Sequence, residues 1–355
     1  MRIVITGATG NVGTALVRAL AADGGHELVG VARRPPPPGQ LSRFFSADVA
    51  RDDLSDAFEG ADAVVHLAWE IQPSRRHGRL AETNVRGTAR VIQAAANAGA
   101  RCLVVASSIG VYAPGPKDPR VDEAWPATGI PTSTYSIHKA MIERQLDRAE
   151  ERRPEIRTVR LRPALIFQRA SATEQRRLFA GPFVPGALLR VGRLPVLPDV
   201  EGLRFQAVHA ADVADAYRRA ITDPRAVGAY NVAADPVLDV PTIARARHAR
   251  TMRLPRGVAR RALTAAYKAH LHPSEPSWLD LALETPLIDS SRIRAELGWK
   301  PRHSAIQAID ELLDGVADGA GGATPPLLDD SLARRLRELA GGVGTRAPGI
   351  PRRAD

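Results

Sequence analysis

An α/β fold with a doubly wound parallel sheet is predicted by three observations. Apolar runs at 2–5, 28–32, 62–68, 101–106 and 156–162 alternate with amphipathic segments near 12–22, 54–58, 81–98 and 135–150. The first run passes directly into Gly7-Ala8-Thr9-Gly10-Asn11-Val12-Gly13, which opens the helical pattern at 15–20. The residues with chemistry to offer fall at the ends of the strands. Alternation of this kind argues a parallel sheet covered by helices on both faces, and right-handed crossovers wind it doubly. Ligands of such sheets bind beyond the carboxyl ends of the strands.

The stretch 7–13 has the outline of a phosphate cradle. Gly7 can make the tight turn, Gly10 lets the backbone approach a pyrophosphate, and Gly13 lets the helix pack against the strand. Thr9, Asn11 and Val12 complete the loop, and the helix N-terminus behind them offers unpaired N–H groups and a positive dipole end. The spacing is GxxGxxG rather than the GxGxxG of the dinucleotide fingerprint, so the flanking strand and helix carry the reading; the alternative is a turn that binds nothing. The second strand ends at Arg33-Arg34, where an NAD-preferring site usually carries an acidic residue. Guanidinium groups suit a 2′-phosphate, which favours NADP as cofactor with NAD as the alternative. Solvated turn residues ahead of the prolines at 35–38 are the competing reading of the two arginines. A third strand is predicted at 43–45. Beyond it, Asp48, beside Val49, offers a carboxylate to an adenine amino group or a cap to the next helix.

The strongest constellation lies further on. Ser107 and Ser108 follow the run 101–106, and Tyr135-Ser136-Ile137-His138-Lys139 opens a helical segment. Tyr135 and Lys139, four apart, share one helix face. A nearby ammonium favours the phenolate. A phenol titrates near pH ~10 and needs such help to act as acid or base near neutrality. A serine hydroxyl can hold the substrate oxygen that gains or loses the proton.

At this point the chain resembles the extended short-chain dehydrogenase/reductase family, the group that contains nucleotide-sugar epimerases and dehydratases. The resemblance runs through most of 1–301. It rests on TGATGNVG (6–13), Asp48-Val49, HLAW (66–69), NVRGT (84–88), SSIGVY (107–112), YSIHK (135–139), LRP (161–163), FQAVHAADVADA (205–216), GAYNVA (228–233) and LGWKP (297–301). It implies a Rossmann domain at 1–165 plus 205–234 and a smaller, discontinuous C-terminal substrate domain at 166–204 plus 235–314. It also implies roles: Gly7, Gly10 and Gly13 as the pyrophosphate turn, and Leu67 and Ala68 lining the cofactor. Tyr135 matches the catalytic acid/base, Lys139 the residue that holds the nicotinamide ribose and tunes the tyrosine, and Ser108 the catalytic Ser/Thr. Ser107 is then a neighbouring cofactor contact, Pro163 the proline beside the nicotinamide, and Asn84 a structural asparagine.

Departures from the family narrow the reaction. Nucleotide-sugar 4,6-dehydratases carry Asp-Glu directly after the catalytic Thr, and this chain has Ile109-Gly110, which transfer no proton. The cysteine of fucose-synthase-like 3,5-epimerases is also missing there. The residues after Pro163 lack the asparagine that contacts the substrate diphosphate in many sugar epimerases. What remains is reversible oxidation of a secondary alcohol with exchangeable NADP(H), or a nucleotide-sugar 4-epimerisation with retained NAD. A non-catalytic dinucleotide sensor is the reading from another class, and the complete Ser108/Tyr135/Lys139 set argues against it.

Composition bounds the rest. A chain of 355 residues with 44% hydrophobic content supports a large core and two domains. Cys102 is the one cysteine, which leaves no disulfide within the chain and reads as core packing. No signal peptide and no membrane-spanning stretch is read, so the expected compartment is the cytoplasm. The net charge of +10 concentrates at 242–274, which holds Arg245, Arg247, Arg250, Arg253, Arg256, Arg260, Arg261 and Lys268 and no acidic residue. That segment reads as a lid over a nucleotide- or phosphate-bearing small-molecule substrate, as a helix on an anionic membrane surface, or as a solvated face. Aromatic content of 5% and the lack of a nucleic-acid motif argue against DNA or RNA partners. No paired-histidine spacing points to a metal. Residues 315–326 read as a linker, 328–340 as a short capped helix and 341–355 as disordered, together a flexible tail. Apolar faces at 85–99 and 135–150 fit either a homodimer interface or burial against the chain's own sheet.

Overall fold

Strand β1 (Arg2–Thr6) leads through the glycine turn into α1 (Asn11–Asp23), followed by β2 (Glu27–Ala32), β3 (Arg43–Ser46), α2 (Ser55–Phe58) and β4 (Ala63–His66). Then come α3 (His77–Ala81), a π-helical turn (Glu82–Arg86), α4 (Gly87–Asn97), β5 (Cys102–Ala106), α5 (Thr134–Arg152) and β6 (Arg157–Pro163). The second half adds β7 (Leu165–Phe167), α6 (Ala172–Gln175), β8 (Val196–Val200), β9 (Arg204–His209), α7 (Ala210–Thr222), β10 (Gly228–Val232) and β11 (Ala234–Asp239). It closes with α8 (Val240–Ala246), β12 (Arg250–Leu254), α9 (Arg256–Lys268), α10 (Ser277–Glu284), α11 (Ser291–Leu297), α12 (Ala305–Asp318) and α13 (Leu332–Ala340). The structure, a computed structural model, describes residues 1–71, 75–183, 185–192, 195–340 and 342–343.

Seven strands form one parallel sheet in the order β10-β6-β5-β4-β1-β2-β3. Successive side chains of a strand point to opposite faces, and here both faces are apolar. Ile3, Ile5, Val65 and Val104 join one core with Leu16 and Leu20 of α1 and Val213 and Tyr217 of α7. Val4, Val64, Leu103 and Val105 join the other with Phe58, Val91, Ala95, Ile142 and Leu146. The predicted doubly wound fold is therefore the one observed. Most of the apolar faces of α4 and α5 are spent on this core, while Ile137 and Met141 remain exposed. Cys102 is buried in a strand, as expected.

The inserted segments build smaller units. Strands β11, β9 and β7 form a separate sheet, so residues 205–209, expected with the dinucleotide domain, pair outside the main sheet. Helix α12 covers it through Ala308, Ile309, Leu312 and Val316. Strands β8 and β12 form a two-stranded ladder ahead of α9. The glycine- and alanine-rich stretch from 315 begins inside α12 and then folds back onto the protein, with Leu327 only 1% exposed. Apart from Gly342 and Val343, residues 341–355 lie outside the described residues. Among the described residues, no helix is long and apolar enough to cross a membrane.

Candidate active site

The glycine turn closes the carboxyl end of β1. Gly7 has φ +72°, and a Cβ on it would sit 2.7 Å from the Ala68 amide nitrogen and 2.8 Å from the Leu67 carbonyl carbon. Leu67 and Ala68 thus form the wall against which the turn is pressed. A Cβ on Gly13 would meet the Gly7 carbonyl oxygen at 2.3 Å, which only glycine avoids. Thr9 is buried, and Val12 packs against the core below. The start of α1, with Gly10 at its cap, has neither a capping side-chain bond nor an acidic first turn. The Asn11 side chain donates to the Ile166 carbonyl at 3.2 Å and accepts from Gln168 at 2.7 Å, which ties the turn to the segment after β6. Gln168 was not read from the sequence; nothing local marks it. Pro163 ends β6, buried beside β10.

At the end of β2, Arg33 is not free for a phosphate: its guanidinium pairs with the Glu70 carboxylate, whose side chain is fully buried. Because β1 lies between β2 and β4, this pair bridges the end of β1. Arg79 adds a second positive group at 3.5 Å. The Glu70 backbone is held by Asn84, which accepts from its N–H and donates to its carbonyl, each at 2.8 Å. Arg34 is partly buried, and burial together with the charges of Arg33 and Arg177 lowers its pKa, with Glu174 opposing. Asp48 caps no helix; its carboxylate accepts from Ala50 N–H in a local turn, and Asp53 serves Ser55 at the start of α2. Val49 is buried against Gly87.

Tyr135, Ser108 and Lys139 do come together beyond β5. Ser133 caps α5, placing Tyr135 in its first turn and Lys139 one turn later. The phenol lies close enough to Ser108 for that hydroxyl to lower its pKa, and the Ser108 hydroxyl accepts from Gly110 N–H at 3.0 Å. Gly110 matters for shape: a Cβ there would lie 2.9 Å from the Tyr135 ring. Trp69 and Trp278 flank the tyrosine, with ring centroids at 5.8 and 5.0 Å, and Phe179 packs on Trp278 at 5.1 Å. Beneath the site, Ser107 donates to buried Glu143 at 2.6 Å. Burial pushes the Glu143 carboxyl up, but Arg162, Ser107 and Arg160 outweigh it and hold the pKa below its ordinary value. Arg162 donates to both Glu143 oxygens, at 2.9 and 2.7 Å, and to the Tyr112 hydroxyl at 3.0 Å. Neither member of this pair was singled out from the sequence.

The expected pKa coupling differs from what the structure shows. Burial pushes the Tyr135 phenol up to about 12, with the Ser108 hydroxyl pulling it down. Lys139 Nζ is 5.7 Å from the tyrosine ring centroid, donates to the Ala106 carbonyl at 2.7 Å and stacks 3.4 Å from the Trp69 centroid. Desolvation pulls the ammonium down to about 7 from 10.5, against the opposing charge of Glu143. A lysine depressed on folding leaves the unfolded chain with more bound protons between those two values, so stability rises with pH above 7. We expect the ligand-free protein to gain up to about 1.4 kcal/mol per pH unit there relative to Lys139→Met. Urea midpoints of the two proteins at pH 7 and 9 check this, and a constant difference between them would contradict it.

The basic segment is partly neutralised. Arg247 is buried with Asp314 at 2.8 Å, Arg260 pairs with Asp280 at 2.8 Å and Arg256 with Glu284 at 2.8 Å. His209, His303 and Glu311 cluster together, but His209 Nδ1 already accepts Ala211 N–H at 3.2 Å, and its Nε2 faces Glu311. That tautomer has no lone pair left for a metal.

The sequence and the fold are similar to those of known proteins. A functionally uncharacterised Mycobacterium tuberculosis protein is 30% identical over 315 residues, 88% of this chain; the aligned region is 29% of that longer protein. A short-chain dehydrogenase/reductase superfamily protein of Agrobacterium tumefaciens, solved with bound NAD, superposes with a TM-score of 0.66 at 25% identity, covering 90% of this chain and 96% of that one. The UDP-glucose 4-epimerase of Thermus thermophilus, solved with NAD, gives 0.64 at 21% identity over 89% of this chain and 99% of its own. The model of the NAD dependent epimerase/dehydratase family matches residues 3–233, well over half of the sequence, and the chain belongs to that family.

Proposed function

We propose that this protein is an NAD(P)-dependent oxidoreductase that moves a hydride between nicotinamide and a secondary alcohol or ketone. The observation that carries the reading is the convergence of the Tyr135 ring and the Ser108 hydroxyl on Gly110 beyond β5, with Lys139 one turn further along the same helix as Tyr135. Tyr135 transfers the proton and Ser108 holds the substrate oxygen. Lys139 turns from the Ala106 carbonyl to the ribose. The turn at 7–13 suits a pyrophosphate because Gly7 and Gly13 let the backbone close tightly against Leu67-Ala68 and against the start of α1, as such a turn requires. When bound, the nicotinamide supplies or accepts the hydride.

NADP is the preferred cofactor in this reading. Arg33 is already neutralised by Glu70, so Arg34 bears the 2′-phosphate contact. Its crowding by Arg33 and Arg177 is relieved by an arriving anion. The test is to denature the purified protein and identify any nucleotide released, then titrate NADPH against NADH. Tighter binding of NADPH is expected. Stoichiometric release of NAD would instead favour the retained cofactor of a 4-epimerase, and a site that takes neither dinucleotide overturns the reading.

A further inference from the structure

The C-terminal segment does not trail away from the dinucleotide site. The Thr324 hydroxyl donates to the carbonyl of Thr9, inside the glycine turn, at 2.8 Å, and Thr324 is 8% exposed. Around it Gly322 N–H bonds to the Leu327 carbonyl at 2.5 Å, and Leu327 is buried. Thr173 N–H and hydroxyl both reach the Ala320 carbonyl, at 3.1 and 2.8 Å.

A second anchor lies further along. Arg176, 3% exposed, pairs with Asp330 at 3.2 Å and with Glu338 of α13 at 3.2 Å. Its neighbours Glu174 and Arg177 are the residues whose charges act on Arg34 at the end of β2. The tail therefore touches the glycine turn directly, and it anchors the 174–177 segment whose charges reach Arg34. Buried charge pairs that close a chain end onto another element resist opening, because release strands an unpaired ion.

We propose that residues 319–340 act as a clasp on the bound dinucleotide, with Thr324 as a positioning residue that fixes the glycine turn through the Thr9 carbonyl. This rests on the dinucleotide reading above. The clasp must open for cofactor exchange, so it slows release.

The experiment is stopped-flow release of NADPH from full-length wild type and Thr324→Val, which keeps the shape and removes the donor. About a tenfold faster release is expected, the factor that one lost buried hydrogen bond corresponds to. The unfolding midpoint of the cofactor-free variant falls as well, since the same bond is present without cofactor, and its rise on adding NADPH shrinks. Hydrogen exchange on the wild type gives a check that needs no variant: saturating NADPH should slow exchange at 319–330 as well as at 7–13. Release within about twofold of wild type, with 7–13 protected and 319–330 unchanged, overturns the clasp alone. Failure of both NADPH and NADH to bind overturns the dinucleotide reading and the clasp with it.

Discussion

Replacing Tyr135 with phenylalanine is expected to lower turnover by about 10²–10⁴-fold, the range a positioned proton donor contributes. Dinucleotide affinity should be unaffected. The ring stays, so its packing between Trp69 and Trp278 survives, and only the hydroxyl facing Ser108 is lost. The measurement is kcat on whichever carbonyl compound the wild type reduces, beside a binding titration on both proteins. A variant that keeps full turnover would place the proton transfer elsewhere. Loss of binding together with turnover would mean that the phenol serves the cofactor rather than the chemistry.

Glu143→Ala is expected to cost the largest amount of stability, about 3–5 kcal/mol, as for other buried pairs broken on one side. Glu143 is 2% exposed and accepts from Arg162, Arg160 and Ser107. Without it the Arg162 guanidinium is left hydrogen-bonded to the neutral Tyr112 hydroxyl and Glu123 carbonyl, with the Glu123 carboxylate acting on it through charge alone. Urea unfolding of both proteins gives the difference. A loss below about 1 kcal/mol would show that those neutral acceptors suffice. Replacing Glu143 and Arg162 together by apolar residues should recover part of the loss, because no unpaired ion then remains.

Local rules carried the fold and the outline of the site. The alternation of apolar runs with amphipathic segments translates into a parallel sheet because both periodicities are properties of single elements. The glycine turn was legible for the same reason: its steric demands act between residues that are close in sequence or at the end of the neighbouring strand. Pairings between distant elements were not legible. Glu143 and Arg162 look like solvated charges on a helix and a strand until the register of α5 against β6 turns them inward. Arg33 reads as a phosphate ligand until the loop after β4 brings Glu70 across. The residues at 315–326 have the composition of a linker, yet small side chains also allow the close contact in which a Cβ on Gly321 would fall 2.3 Å from the Leu327 carbonyl oxygen. Composition alone does not distinguish freedom from tight packing.

The aromatic pair around Tyr135 has an optical consequence. The chain holds four tryptophans, and two of them, Trp69 and Trp278, stand against this one side chain. Trp69 also lies under the Lys139 ammonium, so its emission responds to that charge as well as to anything that displaces it. Intrinsic fluorescence is thus weighted towards the site without any label. Quenching or a spectral shift on mixing reports arrival at Tyr135 directly, which allows candidate substrates to be screened before any assay of their conversion exists.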